Sequence, residues 1–180
     1  MGNKAIHSYI PRASLFAALG VIFPVFFHLL GLGSIFLPMF LPITMGAFLL
    51  PWKLAASIAV VTPMISFAIS GMPPLFPPIL PLMMVELLLI SIIASILFFH
   101  KKNSLWLSLV AAILVDRIVL FIFVYWFAPL LGFPPRVFSI ATVVHGIPGI
   151  VLMLVVIPLT MRFLTQKYPH ILSNQVGDED

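Results

Sequence analysis

The sequence contains no cysteine. That absence excludes a disulfide framework, a thiol nucleophile and a cysteine-ligated metal. Charge is also scarce: 8% of the 180 residues are Asp, Glu, Lys or Arg, against roughly 25% in an ordinary soluble domain. The catalytic signatures are missing as well. There is no G-x-x-x-x-G-K-[ST] loop for nucleotide phosphates, no H-E-x-x-H and no G-x-S-x-G. No Ser, His and acid share one depth. These absences argue against an enzyme, and neither a metal nor a cofactor is expected. The net charge is +4, but the nine basic residues are spread over the loops and form no patch for nucleic acid.

What is present is apolar. Hydrophobic residues make up 62% of the chain, and the mean hydropathy is +1.24. A chain this small leaves too much surface exposed to hide that content in one core. Lipid must therefore solvate most of it. A membrane-crossing helix takes about 20 mostly apolar residues. Six runs are candidates, at about 12–30, 35–50, 54–70, 82–99, 105–131 and 137–163. The second and third are short, and Pro51 and Lys53 separate them. The runs are continuous rather than alternating, which excludes a β-barrel. The fold class expected is an all-α integral membrane protein, a single domain over 1–180 with a short polar tail at 166–180. The basic, then apolar, beginning of the chain resembles a secretory signal but lacks a small-x-small cleavage site, so it is read as an uncleaved first span. Ile6 stands where a myristoylation motif needs Ser or Thr.

Lys and Arg in the loops set the orientation. With the N-terminus inside, Lys4, Arg12, Lys53, Lys101, Lys102, Arg162 and Lys167 all lie at cytoplasmic ends, and Arg136 alone at an outer end. Both termini are then cytoplasmic. The proline-rich stretch GMPPLFPPILP, residues 71–81, becomes an outer loop. Its prolines favour a stiff extended backbone. It is either a plain connector or a pre-shaped lid made by Pro73, Pro74, Leu75 and Phe76.

Ionisable groups at membrane depth are costly and mark function by default. Glu86, Asp116 and Arg117 fall within spans, and His28, Arg136 and His145 lie near or in them. Most belong to the outer half, the layout of a pocket opening outward. Asp116 and Arg117 are adjacent, so they are expected to point about 100° apart and to need separate partners. Pairing of Arg117 with Glu86 competes with ligand contact as an explanation for both. Arg and His would suit a ligand carboxylate or phosphate. The aromatics Phe26, Phe27, Phe36, Phe76, Tyr125, Trp126 and Phe133 gather toward the outer ends, as an interfacial belt does. On the first span, Ala13 and Ala17 make a small-x-x-x-small strip, which permits close helix approach.

That strip, together with FHLLGLGSIFLPMFLPITMGAFLLP (27–51), TPMISFAISGMPP (62–74), VEL (85–87) and HGIPGIVLMLVVIPL (145–159), resembles the substrate-binding S components of energy-coupling factor (ECF) vitamin transporters. The resemblance covers about residues 13–160. It implies a subunit that binds a vitamin or related micronutrient in an outward-facing pocket. It also implies that the Ala13/Ala17 strip contacts a membrane-embedded T component, and that two cytoplasmic ATP-binding subunits supply the energy. Two rivals stay open on the residues alone. One is a stand-alone secondary transporter with Glu86 or Asp116 as proton carrier; the other is a membrane scaffold with no small ligand.

Overall fold

The structure, a computed structural model, describes residues 3–31, 38–76, 78–133 and 146–168, with side chains from Ser8 onward. Every regular element among them is helical. The helices are α1 (Asn3–Leu29), α2 (Phe40–Ala47), α3 (Trp52–Ser70), α4 (Ile79–Ala94), α5 (Leu105–Ile122) and α6 (Ile147–Lys167). A π-helical segment, Ser95–His100, extends α4, and another, Phe123–Phe127, extends α5 into the short helix Ala128–Leu130.

Five of these helices are long and apolar enough to cross a membrane: Ser8–Leu29, Trp52–Ser70, Ile79–His100, Leu105–Leu130 and Ile147–Lys167. None buries more than 44% of its most apolar stretch inside the protein. Water would not tolerate that much exposed apolar surface, but acyl chains match it. The second run of the sequence is different. Of the stretch 35–50, residues 38–50 are described, and α2 within them has eight residues, about 12 Å of helix. A bilayer core is about 30 Å thick. All eight residues of α2 are buried, and the helix packs against α1, α3, α4 and α6. Among the described residues, then, the expected second span is a short helix enclosed by the others. The sixth run is helical from Ile147, and 137–145 lies outside the described residues. Placement of both termini on one side also lies partly outside them.

Contacts along α1 fix the direction of α2. A Cβ built on Gly46 of α2 would stand 2.9 Å from the Phe16 ring, and one on Gly20 of α1 would stand 3.3 Å from Ile43. Residue 43 thus lies level with 20, and 46 with 16, so α2 runs antiparallel to α1. At its far end Leu50 accepts a hydrogen bond of 2.7 Å from the buried Ser95 hydroxyl, and Phe48 meets Phe98 edge-on at 5.2 Å. Tyr9 meets Phe99 at 5.8 Å at the same end. There, too, cations lie over aromatic rings: Arg12 over Tyr9, Lys53 over Trp52 and Lys167 over Phe163. Each charged head can sit in the polar interface while its stem covers apolar surface.

Local chemistry accounts for the helix ends. Gly71 closes α3 in the left-handed conformation, φ 69°, with its N–H on the Phe67 carbonyl at 2.7 Å. A side chain there would be strained. Pro81 sits in the first turn of α4, where a missing N–H costs nothing. Ser104 caps α5 by accepting the Leu107 N–H at 3.3 Å. Pro11, Pro24, Pro63 and Pro158 lie inside helices, as membrane helices tolerate.

Gly20 lets α1 approach α3 closely: a Cβ there would come 2.7 Å from the methyl carbon of buried Thr62. Thr62 is β-branched and cannot swing aside easily. Gly20→Val should therefore cost about 1–3 kcal/mol of stability through overpacking. Unfolding of the purified protein in mixed micelles measures it, and an unchanged midpoint would mean that α1 is free to move away.

Candidate functional site

Two acids fall among the described residues, Glu86 on α4 and Asp116 on α5. Both are buried, at 6% and 2% exposure. Their positions follow from the antiparallel run of α4 and α5. Glu86 lies about 10 Å along α4 from its start at Ile79. Asp116 lies about 16 Å along α5 from Leu105, which brings the two to neighbouring levels.

Arg117 joins them. Its Nη2 and Nε donate to one oxygen, Asp116 Oδ2, at 2.6 and 3.0 Å. The same Nη2 stands 3.8 Å from Glu86 Oε1, within ion-pair range but too far for a hydrogen bond. This overturns the expectation that neighbours on one helix need separate partners. The arginine side chain is long enough to curl back over its own turn, so the 100° between the two Cα–Cβ directions does not separate the end groups. The pairing of Arg117 with Glu86 is present as an ion pair alone.

The charged group occupies a seam between two apolar clusters. Leu82 on α4, Leu120 on α5, and Val124 and Ala128 in the helical segments that extend α5 form one, with Phe123 and Phe133 packed on it. Leu87 and Ile90 on α4 and Ala112 and Ile113 on α5 belong to the main core. Three charged groups are thus enclosed between apolar walls. Two carboxylate oxygens in the seam, Glu86 Oε1 and Asp116 Oδ1, are buried and accept no hydrogen bond. Buried acceptors in native proteins are almost always satisfied, yet among the described residues no donor reaches either of these two. A lone pair of acids on one guanidinium offers no metal cage: among the described residues no three His, Asp or Glu gather.

The other expected residues fare differently. His28 is exposed in the last turn of α1, and no ion pair links it to the three charged groups. Arg136 and His145 lie outside the described residues. Leu75 and Phe76 are exposed at the tip of the proline-rich loop, at 53% and 82%. The loop is anchored at both ends. The Ser66 hydroxyl donates to the Met72 carbonyl at 3.1 Å, and the Leu80 N–H donates to the Pro74 carbonyl at 3.1 Å. Phe76 leans edge-on against Phe133, centroids 6.3 Å apart, so the loop rests on the apolar cluster next to the seam. Ala13 is buried in the main core and Ala17 packs on it, so in this structure the small-residue strip faces the chain's own interior.

Sequence reasoning missed a set of buried hydroxyls. Thr44, Thr62 and Ser91 are fully buried, and their oxygens have no hydrogen-bond partner. The signal was available on α3, where Thr62, Ser66 and Ser70 recur every four residues and so share a face.

A family model described as the substrate-specific component of ECF transporters matches residues 8–161, a range containing all three charged residues of the seam. No curated protein and no solved structure matches the chain. The chain belongs to the family of substrate-specific components of ECF transporters, a multi-pass membrane subunit of a transport system rather than an enzyme.

Proposed function

We propose that this chain captures a vitamin or related micronutrient in the seam between α4 and α5, and delivers it by docking on a T component served by two cytoplasmic ATP-binding subunits. The observation that carries this reading is a pair of buried acids gathered by Arg117 between two apolar clusters, each with one oxygen, Glu86 Oε1 and Asp116 Oδ1, that accepts no hydrogen bond. The loop end of the bundle faces outward and both termini are cytoplasmic, in keeping with the six described cations Arg12, Lys53, Lys101, Lys102, Arg162 and Lys167 toward the other end. Arg136 and His145 remain candidates to complete the ligand's surroundings, and His28 to line the entrance. The plasma membrane of a prokaryotic cell is the setting this assigns.

The test is uptake of the captured compound. Uptake should require the T component and the ATPases and should stop when ATP is depleted. Uptake by the chain alone, abolished by an uncoupler, would make it a secondary transporter instead. No bound small molecule and no uptake would leave a scaffold.

In the lid reading, Pro73, Pro74, Leu75 and Phe76 close over the ligand with little loss of entropy, because the loop is already stiff. Replacing 73–78 by Gly and Ser should then raise the ligand off-rate about tenfold. An unchanged off-rate would return the loop to a connector. Docking through Ala13 and Ala17 requires α1 to turn more of that strip outward. Ala17, half-buried, is the cleaner probe, because Trp at Ala13 would also overpack the core. Ala17→Trp should block association with the T component and spare ligand affinity.

A further inference from the structure

Two carboxylates share one guanidinium in the seam. Asp116 Oδ2 already takes two N–H groups of Arg117, and Glu86 Oε1 faces the same nitrogen from 3.8 Å. Among the described residues, buried Asp116 Oδ1 meets no donor, and buried Glu86 Oε1 has only that guanidinium, beyond hydrogen-bond reach. A ligand carboxylate or phosphate arriving here would meet the oxygens of two acids, and it would have to take Arg117 away from Asp116. A cation or an N–H donor would meet acceptors that are already desolvated and held in place, and hydrogen bonds to charged groups are the strong ones.

We propose that the ligand enters the seam with a nitrogen-bearing head, cationic or hydrogen-bond donating, which Glu86 and Asp116 accept. Arg117 sets the spacing of the two acids and is not the receptor for an anion. The apolar cluster of Leu82, Leu120 and Val124, with Phe123 and Phe133 on it, then covers the less polar part of the ligand. This rests on the binding-subunit reading above and names its ligand class. It reverses the sign of the ligand that Arg117 alone had suggested.

The experiment uses the full chain purified in detergent. Thermal unfolding is followed with a charge-sorted panel: thiamine and pyridoxamine as nitrogenous cations, and pantothenate, biotin and nicotinate as anions. Kd for whichever compound stabilises the protein is then measured in the wild type, Glu86→Gln and Arg117→Lys. Size-exclusion profiles report folding, and Asp116→Asn substitutes if Glu86→Gln does not fold. The expected result is stabilisation by a nitrogenous compound, weakened about tenfold or more in Glu86→Gln and much less in Arg117→Lys. An anionic stabiliser that is weakened in Arg117→Lys and indifferent to Glu86→Gln would overturn the proposal while leaving the binding-subunit reading in place. Stabilisation by none of the panel, with no small molecule retained by the protein, would overturn both.

Discussion

Arg117→Met should cost this protein about 3–5 kcal/mol of stability, the largest loss expected from any single substitution outside the apolar core. Among the described residues the guanidinium is the one group that donates to Asp116 Oδ2, through two N–H bonds, and its side chain is 17% exposed against 3% for that of Asp116. Methionine matches the arginine stem in length and flexibility but leaves two buried carboxylates without a counter-charge. Breaking a buried pair from one side is far costlier than replacing both partners, because the surviving charge has neither water nor a partner. Arg117→Met should unfold at much lower denaturant in mixed micelles. Arg117→Met combined with Asp116→Asn should recover a substantial part of the loss, since the asparagine carries no charge to orphan. Glu86 would still lack its cation, so recovery should stay incomplete. Equal losses in the single and double variants would mean that the guanidinium stabilises the fold through its stem, not its charge.

Phe48→Ala should cost about 3 kcal/mol, for a different reason. Phe48 is wholly buried where α2 ends, edge-on to Phe98 of the π-helical segment after α4. In a bilayer, moving an apolar side chain from protein to lipid gains little, so the hydrophobic term is weak. What is lost is close packing: the ring's many dispersion contacts vanish, and the cavity cannot collapse while α1, α3, α4 and α6 hold α2 on all sides. Phe48→Leu, which fills more of the space, should cost clearly less. Similar stabilities for both variants in micelle unfolding would show that α2 can shift to close the gap.

Much of this architecture could be read in the sequence, for identifiable reasons. Long apolar runs punctuated by Lys, Pro and Gly mark helices that face lipid. Trp52–Ser70 and Leu105–Leu130 begin and end close to where those residues place them. Glu86, Asp116 and Arg117 stood out because so few charges occur at depth. Two things were not legible. The 35–50 run has the composition of a span, because an enclosed helix and a lipid-facing helix are equally apolar; only packing distinguishes α2, buried on every face, from its neighbours. The Asp116–Arg117 contact escaped because helical spacing reports where Cβ atoms point, while a long side chain can carry its end group back across a turn. That second point changes the chemistry. An arginine that was a candidate for an anion is occupied by Asp116, and the acids keep oxygens that accept no hydrogen bond.

The most direct test is to identify, by mass spectrometry, the small molecules that remain on the gently purified wild-type chain and on Glu86→Gln prepared in parallel. The account predicts one micronutrient-sized compound, enriched in the wild type and strongly depleted in the variant. Lipid and detergent alone, or the same compounds in equal amounts on both proteins, would contradict it.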